Sequence, residues 1–155
     1  MQRKTVVAIA SVAFIAVIVA ARTTASQQTA GGPLVEVFKS PTCGCCSKWV
    51  EHLRANGFAV RTTDLNDLHQ IKSSRGIPAE LQSSHTAIVG GYVVEGHVPA
   101  SDVQRLLKEK PGVVGIAVGG MPVGSPGMEF RDLKPQAYNV MSFDKAGKTA
   151  VYAKH

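Results

Sequence analysis

Three cysteines, Cys43, Cys45 and Cys46, fall within four consecutive positions of the segment KSPTCGCCSKW, and they are all the cysteines the chain has. Thiols this close together cannot close a long loop. Their use is therefore chemical more than structural, because a disulfide stabilises mainly by restraining a long loop of the unfolded chain. Two chemistries fit the spacing. Cys43 and Cys46 form a C-x-x-C, which after a strand and at a helix start is a thioredoxin-type redox arrangement: backbone N–H groups and the positive helix end stabilise a thiolate, and Lys39 and Lys48 add positive charge nearby. Cys45 favours the second chemistry. A third thiol competes with the resolving step of disulfide exchange, whereas a metal cluster uses an extra thiolate as a bridge between ions. Thiolate and thioether ligands select Cu(I), while structural zinc takes four ligands, usually from paired C-x-x-C turns, and no second pair is present.

Further soft or borderline donors lie downstream. Met121 and Met128 sit in GGMPVGSPGME, a Gly/Pro-rich stretch that offers a methionine less core to fill than a helix face does. His97, in EGHVPA, follows a hairpin and is placed to point into the same crevice as the thiols; His85 opens the preceding strand and is a weaker candidate. Met141 alternates with Val140 and Phe143 as a core strand residue would. His52 and His69 stand among polar neighbours on helices and are expected at the solvated surface, and His155 is the last residue.

The elements that position these groups follow from periodicity. Leu34 to Ser40 is a β-branched run ended by Pro41, a first strand. Cys46, Trp49, Val50 and Leu53 repeat at helical spacing from Cys45 to Asn56, with Gly57 at the left-handed stop, so the thiols lie at a strand-to-helix turn. Phe58 to Asp64 is a second strand; Leu65, Leu68 and Ile71 mark a second helix ending near Gly76, and IPAELQ adds a turn. TAIVGGYVVEG is a hairpin about Gly90-Gly91. Pro99 opens a third helix with Val103, Leu106 and Leu107 on one face, stopped by Pro111-Gly112. Gly112 to Phe130 has no lasting period and is expected to be one long irregular loop. AYNVMSF and KTAVYAKH flank DKAG as a terminal hairpin. The order β-α-β-α-β-β-α specifies an α/β class.

The chain has 155 residues, 45% of them hydrophobic, enough for one domain with its own core. Arg3 and Lys4 precede an uncharged apolar run, Thr5 to Ala21, followed by small and polar residues, which is the pattern of an export signal cut after Ala25. An uncleaved anchor is the alternative, although the run is shorter than the ~20 residues a spanning helix needs. Residues 1–25 carry three basic residues, Arg3, Lys4 and Arg22, and no acidic one, so without them the formal charge falls from +6 to +3. The remaining basic residues are scattered, with few aromatics between them, and nucleic-acid binding finds no support.

TCGCCSKW, HTAIVGGYVVEGHVPASDVQRLL and GMPVGSPGME, in this order, resemble the exported, copper-resistance-associated CopG-like family over nearly the whole chain from Leu34 onward. The resemblance implies a thioredoxin-like βαβαββα core with a C-terminal Gly/Pro-rich loop and terminal hairpin, and copper held at the Cys-x-Cys-Cys turn. It implies Cys43, Cys45 and Cys46 as thiolate ligands, with His97, Met121 and Met128 as additional ones, and a role in copper handling that includes copper redox chemistry. One position departs from the family pattern. Where relatives carry a further cysteine just before the HTA strand, this chain has Ser84, so a four-thiolate site or a second redox pair is not expected.

The sequence thus describes a leader over residues 1–25 and a thioredoxin-like metal-binding domain over 33–155, its C-terminal extension beginning at about 112. The expected function is that of an exported, periplasmic protein binding Cu(I), with more than one ion where thiolates bridge. Its expected partners are copper ions and other exported copper-handling proteins, and its only membrane contact is the N-terminal segment if uncut. The alternative is a thiol-disulfide oxidoreductase using Cys43 and Cys46.

Overall fold

The computed structural model describes residues 31–155; the expected leader over 1–25 lies outside these residues. The strands are β1 (Leu34–Lys39), β2 (Ala59–Asp64), β3 (His85–Val89), β4 (Tyr92–Glu95), β5 (Gly115–Ala117), β6 (Asn139–Phe143) and β7 (Thr149–Lys154). The α-helices are α1 (Gly44–Ala55), α2 (His69–Ser74) and α3 (Ala100–Glu109), and a 3-10 turn covers Ala79–Leu81. All seven strands form one sheet in the order β2-β1-β3-β4-β5-β6-β7. β1 runs parallel to β2 and antiparallel to β3, and β4 runs parallel to β5.

Side-chain alternation along the strands builds two cores. Val94 and Ile116 face a cluster that includes Val35, Val37 and Ala87 together with Trp49, Val50 and Leu53 of α1 and Val103 and Leu106 of α3. Their chain neighbours Val93 and Ala117 face a smaller cluster with Ile77, Leu81 and Phe143. Successive strand residues point to opposite faces, so α1 and α3 cover one face of the sheet and the Ile77–Leu81 turn the other.

The second face also holds a buried ion pair. Lys72 of α2 meets Glu95 of β4, and its Nζ donates to Thr86 Oγ1 at 3.0 Å. Thr86 Oγ1 in turn donates to Glu95 Oε2 at 2.6 Å, and the Ser83 backbone N–H donates to Glu95 Oε1 at 2.7 Å. α2 has only six residues and no side-chain cap, so it is too short to hold itself together; this network fastens it to the sheet and fixes the chain at Ser83. Burial pushes the Glu95 carboxyl up against the pull of Lys72.

The strand, turn and helix pattern expected from periodicity is present, including Gly57 in the left-handed region with φ +86°. The stretch expected as one loop, Gly112 to Phe130, differs. It contains β5, paired with β4 and β6. Three residues, Gly-Ile-Ala, are too few to show a period of two, and Gly115 fits because a Cβ there would meet the Val93 carbonyl oxygen at 2.2 Å. The rest of the stretch is irregular but tied: Gly124 N–H donates to Met128 O at 2.9 Å and Gln136 N–H to Val123 O at 2.8 Å. Among the described residues no helix is long and apolar enough to cross a membrane.

Candidate metal centre

β1 delivers the chain to the turn at Ser40–Cys43, where the Cys43 N–H donates to Ser40 O at 3.1 Å, and α1 begins at Gly44. Cys43 is the N-cap. Its Sγ accepts the Cys46 N–H at 3.4 Å, so a sulfur does what a serine or aspartate oxygen commonly does at this position. Anionic sulfur is favoured there by the free N–H groups and the helix dipole.

The three Sγ atoms lie within 4.8 Å of one another. Cys43 and Cys46 are joined as a disulfide, and Cys45 is free with its Sγ 3.5 Å from that of Cys43. Cys46 is fully buried while Cys43 and Cys45 are partly accessible. A metal–thiolate bond of about 2.3 Å, the zinc value, lets two sulfurs on one ion stand ~4.6 Å apart. Sulfurs this close, once the disulfide is reduced, form a group that could hold a metal ion. The donor set is soft, which fits copper in its lower oxidation state.

Beneath the turn lies a row of rings. Trp49 and His85 have centroids 4.3 Å apart, and His85 and His97 meet edge to face at 5.0 Å. The Trp49 indole N–H donates to Val98 O at 2.8 Å. Both histidines are fully buried. Burial lowers the pKa of each, and His97 and Lys72 depress that of His85 further. Ser84 links this row to the sulfurs: its carbonyl oxygen is 3.7 Å from Cys46 Sγ, and its Oγ is 3.1 Å from both His85 Nδ1 and His97 Nε2.

The Gly/Pro-rich loop closes over the turn at Gly127. A Cβ on this residue, whose φ is +87°, would stand 2.7 Å from Cys45 O, 2.9 Å from Trp49 N and 3.4 Å from His97 Nδ1. Only glycine fits that contact. The structure thus gathers Cys43, Cys45 and Cys46 in one group, while His97 lies outside it and is linked to it through Ser84. Met128 follows Gly127 and is half-buried, whereas Met121 is 51% exposed farther along the same loop.

Two sequence expectations are corrected here. His52 is not a solvated surface group. It is half-buried, and its Nε2 accepts the Ala100 N–H at 3.1 Å, capping α3 in place of Pro99, which offers no side-chain cap; burial lowers its pKa. Lys39 does not add a free charge to the thiols, because it is buried and ion-paired with Asp64 at 2.8 Å. The packing of Trp49 of α1 against His85 of β3 was not legible in the sequence, since the two come from separate elements. A cleft of about 1030 Å³ lies at the opposite end of the sheet beside Gly90, Leu107 and Lys145 and contains none of these groups.

Residues 81–128 match a family described as "Protein of unknown function, DUF411". That span runs from the 3-10 turn through Ser84, His85 and His97 to Met128, one wall of the centre. No curated protein matches the chain. Two solved structures, both titled copper resistance protein CopG, do: form 2 has a TM-score of 0.75 and 43% identity, covering 79% of this chain and 98% of that one. The chain belongs to the CopG family. Form 1 has a TM-score of 0.74 at the same 43% identity, with 79% of this chain and 96% of that one covered. As a CopG homologue with a compact cysteine cluster, the chain has a site able to hold metal.

Proposed function

We propose that this CopG homologue is an exported copper-binding protein that holds Cu(I) through Cys43, Cys45 and Cys46 in copper handling or resistance, with thiolates bridging more than one ion. The observation that carries the reading is the trio of sulfurs within 4.8 Å at the start of α1. Cys43 Sγ accepts the Cys46 N–H at the helix start, and the two solved structures that match are named for copper resistance. His97, linked to the turn through Ser84 and Gly127, is the added ligand best supported; Met128 and Met121 are the further candidates, Met128 half-buried and Met121 exposed. Export rests on the sequence of residues 1–25.

Anaerobic Cu(I) titration of the reduced protein tests the reading through its variants. Cys45→Ser should lower the number of coppers bound per chain. The same copper number in Cys45→Ser as in the unaltered protein removes the bridging role.

The Cys43–Cys46 disulfide supports a second reading, a thiol-disulfide oxidoreductase in which Cys43 attacks and Cys46 resolves. That reading expects disulfide reduction of a model substrate to vanish in Cys43→Ser while Cys45→Ser leaves copper uptake intact.

A further inference from the structure

The hydrogen-bond chain through Ser84 fixes which nitrogen of His97 carries a proton. His97 Nδ1 lies 2.8 Å from Pro126 O, and a carbonyl oxygen only accepts, so Nδ1 is the protonated nitrogen. In the neutral ring Nε2 is then a bare lone pair, and it accepts the Ser84 hydroxyl at 3.1 Å. Ser84 Oγ has one proton to give; it therefore accepts from His85 Nδ1–H, also at 3.1 Å. His85 Nε2 is left unprotonated, and it is buried without a hydrogen-bond partner.

The reverse order carries a penalty. If Ser84 donated to His85, His97 would need protons on both nitrogens and become a cation in a fully buried position.

His97 in this tautomer leaves Nε2 as the nitrogen that a metal could take. Its Nδ1–H is held by a backbone carbonyl and its Nε2 lone pair faces away, the outer-shell arrangement that orients ligating histidines. That lone pair is already engaged by Ser84. We propose that Ser84 is a latch, a positioning residue that holds His97 Nε2 in the metal-free protein and releases it to copper as the ion binds. The latch rests on the copper reading above and adds to it a determinant of affinity particular to this chain: cuprous ion must displace one neutral hydrogen bond to recruit His97.

The test has a metal-free arm and a copper arm on the purified full chain. In long-range ¹H–¹⁵N spectra without metal, His97 should be the Nδ1–H tautomer, and its Nε2 resonance should move in Ser84→Ala but not in Ser84→Thr, which keeps the hydroxyl. An Nε2–H tautomer, or no response to Ser84→Ala, overturns the latch. Under anaerobic Cu(I) competition, Ser84→Ala should bind about fivefold more tightly, the order expected for one neutral hydrogen bond. Ser84→Thr should restore the original affinity, and the gain should disappear in a His97→Ala background. An unchanged affinity, or the same gain without His97, also overturns it. Failure of the copper reading looks different: cuprous ion then leaves the thiols of the unaltered protein fully alkylatable.

Discussion

Cys43 Sγ serves as half of a disulfide, as a neighbour of the free Cys45 thiol and as the N-cap of α1. These roles separate on substitution. Serine is a preferred N-cap and alanine a poor one. Under reducing conditions Cys43→Ser should keep the stability of the reduced protein within a few tenths of a kcal/mol, while Cys43→Ala should lower it by ~1 kcal/mol, measured by urea unfolding. Equal losses in both would show that the sulfur does not cap the helix. A second residue-scale prediction concerns acid. His52, His85 and His97 all have pKa values lowered from 6.5, chiefly by burial. In each case the unfolded chain takes up the proton first, so their contribution to stability is complete above pH 6.5 and is lost as pH falls through the folded-state values. Glu95, raised from 4.5 by burial, works in the opposite direction, but it is one group against three. The urea midpoint of the metal-free protein should therefore begin to fall below about pH 6.5, ahead of ordinary carboxylate titration; a midpoint that is flat or rises from pH 7 to about 5 would contradict this.

At the scale of elements, the centre depends on a loop meeting a helix start. Gly127 permits the contact because it has neither a side chain nor a penalty at φ +87°. Gly127→Ala would push on the backbone of Cys45 and Trp49, where nothing flexible can yield. Overpacking of this kind costs roughly 1–3 kcal/mol, and relief comes by lifting the loop. The variant should lose stability by that order and its Cys45 should react faster with iodoacetamide; an unchanged Cys45 rate would mean that the loop does not cover the thiol. The same scale shows what could be read in advance. α1 was legible because Cys46, Trp49, Val50 and Leu53 repeat along one segment, and the β3–β4 hairpin because Gly90-Gly91 interrupts two β-rich runs. β5 was not, because its pairing is dictated by β4 and β6 and not by its own three residues. The cap that His52 gives α3, the Lys72–Glu95 pair and the Ser84 bridge were hidden for a related reason: each joins residues far apart in the chain.

At the scale of the whole molecule, the sheet separates two ends. The cysteines follow β1 at one end, and the chain enters β1 at the other, about 20 Å away for a strand of six residues. β5, β6 and β7 extend the sheet beyond β4, and the irregular segment between β5 and β6 leaves and re-enters the sheet at the cysteine end, where Gly127 meets Cys45. The C-terminal extension is thus part of the centre, and its contribution joins the thiols of the first helix to the histidine that follows β4. All of this serves copper only if the three sulfurs, once reduced, act together. The direct measurement is cuprous ion titrated anaerobically into the fully reduced protein, with bound copper counted and each thiol assayed by alkylation. The account predicts more than one copper per chain and protection of Cys43, Cys45 and Cys46 together. Thiols that alkylate as readily with Cu(I) as without it would contradict it.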